Sequence, residues 1–290
     1  MTVDAHVHVW DPATRDHSWL CEQPEPLRRG FGAEELSLLA AASGVSAVVL
    51  VQVLDDLAET RQFLSLAASG ALVAGPAAVV GWVDLEAPEV AETLAALRDG
   101  PGGGHLAGIR HLVESAPDGF LSRPGVQRGL KAVRDAGLVY DLLVHHRQLA
   151  EATEALAGLE GLRIVLDHCG KPGIASGMLD PWRADISRLA RNELVTCKIS
   201  GLVTEAGARW SAAQIRPYIG HVLERFGPER CMIASDWPVC TVRASYPEVI
   251  TLAGELLEGL ARPEREAVLD ANARRVYGLA GDPEQGGRHA

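Results

Sequence analysis

The chain of 290 residues, 47% apolar and 5% aromatic, is long enough for one large core, since parallel barrels use roughly 250 residues as a single domain. Its 27 Lys plus Arg against 38 Asp plus Glu give a net charge of −11. Basic residues are no denser than pairs such as Arg28-Arg29 and Arg274-Arg275, so a phosphate polymer finds no footprint and nucleic acid is excluded as a partner.

The first apolar run, 3–9, carries Asp4, His6 and His8 and no cationic leader, so it reads as a strand rather than an export signal. The segment from Asp11 to about Gly32 holds Pro12, Pro24, Pro26, Gly30 and Gly32 and reads as a long loop over a site. The most apolar window, 36–54, is broken by Ser37, Ser43, Gly44, Ser46 and Gln52 and changes period midway. A helix followed by a buried strand over 47–53 explains it better than a membrane span. Further short apolar runs fall at 79–83, 106–111, 138–144, 162–167, 194–199 and 231–235. Amphipathic stretches at 58–68, 89–98, 125–136, 149–156, 181–191, 211–225 and 246–260 separate them and read as helices. A Gly-rich tail over 281–290 reads as frayed. Five dispersed cysteines, an odd number without a Cys-x-x-Cys pair, suit a reduced cytoplasm better than a disulfide framework.

Strands that are apolar throughout rather than alternating are buried on both faces, which implies a parallel sheet with helices outside it. Eight strand and helix units in under 290 residues predict an α/β fold, a single-domain (β/α)8 TIM barrel over 1–280.

In such a barrel chemistry sits where strands end. Alternation puts His6 and His8 on one side of the first strand, about 6.5 Å apart along the backbone, where two imidazoles can converge on one ion. The sixth and eighth runs pass directly from apolar residues into Asp167-His168 and Ser235-Asp236, which is costly unless those groups face a polar cavity. Taken singly, each has a plain structural use: histidines in a satisfied core, His168 donating to a loop carbonyl, Asp236 capping a helix. Taken together, they predict a site.

These residues belong to a wider pattern: His6-x-His8 with Trp10-Asp11-Pro12, Val51-Gln52, Gly81-Trp82-Val83-Asp84-Leu85, Gly108-Ile109-Arg110, Asp167-His168-x-Gly170-Lys171-Pro172, Cys197-Lys198-Ile199-Ser200-Gly201-Leu202 and Ser235-Asp236-Trp237-Pro238. From about Val3 to Leu279 the sequence resembles the amidohydrolase-2 branch of the amidohydrolase superfamily, in the part that holds the L-fucono-1,5-lactonases and L-rhamnono-lactonases. The resemblance implies a cytoplasmic lactonase opening a small sugar lactone. One divalent metal, zinc or manganese, would lie on His6, His8, His168 and Asp236, or the same imidazoles would act without a metal. Arg110 and His111 stand where two-metal members carry a bridging Lys or Glu, so a second ion is not expected. Asp236 would take a proton from water while His168 and Arg110 support the oxyanion. Arg110, His111, Lys171, Gln52, Trp82, His145, Trp237 and Trp10 are the candidates for substrate binding. His145-His146 departs from the basic residue followed by Pro expected there, leaving open a ligand, a substrate contact or a surface pair. Lys198 would touch the site or only pair with an Asp. Cys169 is set aside as a nucleophile because neighbours on a strand point to opposite faces. The alternatives are a dicarboxylate lactone substrate, a decarboxylase of the same superfamily, and a silent binding barrel. A homo-oligomer is compatible with the sequence.

Overall fold

The computed structural model describes residues 1–73 and 75–279; the tail expected over 281–290 lies outside the described residues. Eight parallel strands pair in chain order: β1 Thr2–Val7, β2 Val45–Val51, β3 Ala77–Gly81, β4 Leu106–His111, β5 Val139–Leu142, β6 Ile164–Leu166, β7 Val195–Ile199 and β8 Cys231–Ile233. The ring closes at the C-terminal ends of β8 and β1, where Asp236 N donates to His6 O at 3.0 Å and His8 N to Trp237 O at 2.7 Å. The expected single-domain TIM barrel is the fold observed.

The helices are α1 Ala33–Ala42, α2 Leu57–Ala68, α3 Val90–Asp99, α4 Pro124–Asp135, α5 Leu149–Leu156, α6 Trp182–Leu189, α7 Leu202–Ala206, α8 Ala212–Phe226, α9 Tyr246–Leu256, α10 Arg262–Glu266 and α11 Asn272–Tyr277. Local chemistry sets several starts: the Asp56 carboxylate accepts from Ala58 N ahead of α2, and Ser211 Oγ accepts from Gln214 N ahead of α8. Ser245 and Glu248 bond reciprocally at the head of α9. No helix among the described residues is long and apolar enough to cross a membrane.

The core has two layers. Outward strand residues such as Val48, Leu50, Tyr140, Leu166 and Ile233 pack under the helices. Small inward residues, Val3, Ala5, Ala47, Val49, Val51, Ala78, Val80, Val139 and Val165, fill the barrel, and Ala273, Val276 and Tyr277 of α11 pack against them. Above this apolar plug the inward positions become ionisable: Arg110 on β4, Asp141 on β5, Asp167 beyond β6, Lys198 on β7 and Asp236 beyond β8.

Candidate active site

The register of β1 against β2 shifts between Asp4 and Val7. Val3 and Ala5 sit in the inner cluster while Val7 sits in the outer layer, so this bulge turns His6 and His8 inward one step out of phase with the strand below. Asp4 fixes it, with Oδ1 accepting from His6 N at 3.3 Å and from Ser235 N at 2.8 Å. At the other strand ends the backbone leaves the sheet in left-handed turns: His168, Cys169 and Lys171 have φ of 51, 53 and 47°, and Asp236 has 60°.

The four expected residues converge. Asp236 Oδ1 lies 3.5 Å from His8 Nε2, 3.8 Å from His168 Nε2 and 3.9 Å from His6 Nε2, and all four side chains are buried. His8 Nδ1 is 2.8 Å from Val51 O, which can only accept, so the proton is on Nδ1 and Nε2 presents a lone pair. His6 Nε2 lies 3.1 Å from His8 Nε2 and is unprotonated, its single lone pair shared with the N–H of Arg110 Nη1 at 3.0 Å. Burial, with Lys198 beside it, holds the His6 imidazole well below its ordinary range, and burial lowers His168 despite Asp236 and Asp167. Burial pushes Asp236 up, but His168, His8 and His6 outweigh it and keep the carboxylate ionised.

Two unprotonated imidazole nitrogens 3.1 Å apart beside an ionised carboxylate suit a cation. Ligands at roughly 2.0–2.1 Å from a tetrahedral ion are about 3.3–3.4 Å apart, close to the separations here. The donor set therefore fits a divalent metal. Among the described residues the ligand groups that converge are His6, His8 and Asp236, and His6, Asp167 and His168. Asp167 is already bound to two cations, so the geometry favours one ion.

Beneath the imidazoles runs a buried ionic chain that the sequence reading did not assemble. Lys198 Nζ lies 2.6 Å from Asp141 Oδ2, 3.0 Å from Asp167 Oδ1 and 3.0 Å from His6 Nδ1. Arg110 Nη1 donates to Asp167 Oδ2 at 3.0 Å, and Tyr277 Oη donates to Asp141 Oδ2 at 2.9 Å. Asp141 is pushed up to about 6 by burial, against the pull of Lys198; Asp167, equally buried, is held well below its ordinary range by Lys198 and His6. The signal for all of them was there: Asp141 and Lys198 are lone charges at inward positions of apolar strands, and a buried charge demands a partner.

The rim differs from expectation at four positions. Arg110 is 3% exposed and Gln52 fully buried; Arg110 Nε donates to Gln52 Oε1 at 2.8 Å and Nη2 to Gln52 O at 2.6 Å, so both are committed to a link between strands instead of the mouth. Trp237 and Trp10 are also buried. Each packs edge to face on Phe31, and Trp10 Nε1 donates to Arg29 O, so they anchor the first loop rather than offering a stacking face. Trp82, His111, Lys171 and His145 do lie half-buried at the strand ends. Trp82 Nε1 donates to His111 Nδ1 at 3.2 Å, and Lys171 Nζ donates to Glu114, whose Oε2 is 3.8 Å from His145 Nε2. Burial pushes Glu114 up, but Lys171, His145 and His168 outweigh it and hold it below its ordinary range. Lys198 pairs with Asp141 and Asp167. Cys169 forms no relay with His168, but for another reason than strand alternation: both lie in the left-handed turn, with Cys169 Sγ on Lys198 O and His168 Nδ1 on Ser200 Oγ.

Comparison with known proteins shows the family. An L-fucono-1,5-lactonase from Burkholderia multivorans is 37% identical over 292 residues, covering 96% of each chain. An L-fucono-1,5-lactonase from Burkholderia ambifaria is 34% identical, covering 99% of this chain and 98% of that one. The crystal structure of a Burkholderia multivorans amidohydrolase with bound zinc superposes with a TM-score of 0.89 at 37% identity, covering 97% of this chain and all of that one. The amidohydrolase family profile matches residues 3–279, and the chain belongs to the amidohydrolase family.

Proposed function

We propose that the protein is a cytoplasmic lactonase of sugar catabolism that opens L-fucono-1,5-lactone, or a related 6-deoxy-sugar lactone, to the aldonic acid. The observation that carries this is the meeting of His6, His8 and His168 around an ionised Asp236 at the barrel mouth, in a chain whose full-length relatives are L-fucono-1,5-lactonases.

A zinc or manganese ion held by His6, His8, His168 and Asp236 would polarise the lactone carbonyl and acidify water. The chain's own groups do the rest. Asp236 accepts a proton from the attacking water as the new C–O bond forms. Arg110, fixed behind His6 by Asp167 and Gln52, sets a permanent positive charge beneath the developing oxyanion, where low dielectric makes it effective. The ring C–O bond then breaks, and Asp236 returns its proton to the departing ring oxygen, leaving an alcohol and a carboxylic acid that gives up its proton to solvent. Trp82, His111, Lys171 and His145 surround the mouth and contact the ring substituents.

The test is a panel of lactones followed by pH-indicator release of acid, with Asp236→Asn in parallel. Rapid opening of a six-carbon or 6-deoxy sugar lactone, with a loss of about 10³-fold or more in the variant, is expected from the role given to Asp236. Turnover of a dicarboxylate lactone alone would overturn the reading.

A further inference from the structure

A cavity of about 420 Å³ lies between the first loop and α2, and none of His6, His8, His168 and Asp236 lines it. Its apolar wall is built by Trp10, Phe31, Phe63 and Leu66. Its polar side carries Glu59 and His17, which are only 2% and 6% exposed although both line the space. Each keeps one acceptor free. Glu59 Oε2 accepts from Val53 N at 2.8 Å and Leu54 N at 2.9 Å, while among the described residues Oε1 makes no hydrogen bond and no ion pair. His17 Nδ1 lies 3.0 Å from Arg15 O, which can only accept, so the neutral ring carries its proton there. Its Nε2 is left as a bare acceptor without a partner among the described residues. The cations nearby are engaged elsewhere: Arg15 by Asp56 and Gln62, Arg29 by both oxygens of Glu35. Burial accordingly pushes the Glu59 carboxyl up to about 7, against the two backbone bonds and against Arg15, whose pull Asp56 opposes.

Two buried acceptors without a donor, set opposite aromatic rings, define their complement: a ligand with N–H donors, a positive charge and an apolar body. A polyol would supply donors but not the charge that the Glu59 carboxylate lacks, and an aromatic wall takes a cation more readily than a neutral group. The same wall already holds one cation, for the Arg29 guanidinium carbon lies 3.7 Å from the centroid of the Phe31 ring. We propose that this cavity is a binding site for a small organic ammonium compound, with its N–H groups on Glu59 Oε1 and His17 Nε2 and its hydrocarbon part against Phe31, Phe63 and Leu66. The site stands apart from the catalytic cluster and does not depend on the lactone reading.

Calorimetry of the full chain with benzylammonium, and with benzyl alcohol as its uncharged counterpart, reads the site directly. Above the Glu59 value of about 7, the wild-type protein is expected to bind the ammonium about tenfold or more tightly than the alcohol. Glu59→Gln keeps an acceptor for Val53 N and Leu54 N; it should weaken the ammonium by about tenfold or more and leave the alcohol nearly unchanged. His17→Phe, which removes the second acceptor and keeps a ring, should also weaken the ammonium and serves if the glutamine variant fails to fold. Asp236→Asn should leave binding as it is. Ammonium binding that survives Glu59→Gln and disappears in Asp236→Asn would put the ligand in the catalytic cluster and overturn the proposal. Equal binding of the ammonium and the alcohol, no binding of either, or tighter Glu59-dependent binding of a neutral 6-deoxyhexose would overturn it as well.

Discussion

Asp236, His168, Cys169 and Lys171 hold a backbone conformation that side chains rarely adopt, at a cost of about 1–3 kcal/mol each, and all four sit at two strand ends around the site. Residue identity was legible there, because an apolar run breaking into His or Asp is visible in sequence. Backbone handedness was not, since it is imposed by tertiary bonds such as Asp236 N to His6 O and Lys171 N to His168 O. A second buried carboxylate shows the same limit. Glu59 on α2 accepts from Val53 N at 2.8 Å and Leu54 N at 2.9 Å, and burial pushes it up to about 7 against those bonds. A carboxyl whose folded value exceeds the ordinary 4.5 stabilises the fold fully below pH 4.5 and loses that contribution as pH rises through 7. The loss amounts to up to about 3 kcal/mol. Urea midpoints measured between pH 5 and 8 should therefore decline in the wild type and flatten in Glu59→Gln, which keeps an acceptor for the same N–H groups.

The eight strands and the longer helices were read correctly because two-sided burial writes itself as unbroken apolar runs and amphipathic faces as a 3.6-residue period, whereas α7, α10 and α11, of five or six residues each, are too short to show that period and were not expected. Strand ends were read too long: the runs at 162–167 and 231–235 shorten to Ile164–Leu166 and Cys231–Ile233, because their last residues turn into the site. The bulge in β1 left no sequence signal, since it answers to Asp4 reaching Ser235 from 231 positions away. Gly201, at φ +68° with the His168 ring against it, joins β7 to α7. Gly201→Ala should displace that ring, lowering kcat/KM about tenfold or more and stability by about 1–3 kcal/mol. Gly220 in α8 has nothing within 4 Å of an added Cβ, so Gly220→Ala should leave activity intact and raise stability by about 0.5–1 kcal/mol. Parallel kinetics and thermal melts of the two variants check both expectations.

At the scale of the molecule, one polar thread joins the two ends of the barrel: Asp236, His6, Lys198, Asp141 and Tyr277. Its upper half was foreseen from strand-end chemistry. Its lower half was not, because Tyr277 belongs to a helix near the end of the chain, and no local pattern announces that an aromatic residue will enter a barrel 136 positions earlier in sequence. Tyr277→Phe keeps the ring and removes the donor, leaving the buried Asp141 short of a partner. Denaturant unfolding should show a loss of about 1–3 kcal/mol, with kcat reduced by less than tenfold.

The order in which the chain emerges during synthesis gives Tyr277 one more consequence. All eight strands, His6, His8, His168 and Asp236 precede α11 in the chain, and until α11 docks the base of the barrel lacks its stopper and Asp141 its phenol. A growing polypeptide thus carries every member of the reactive cluster before it carries the keystone that closes the barrel beneath them.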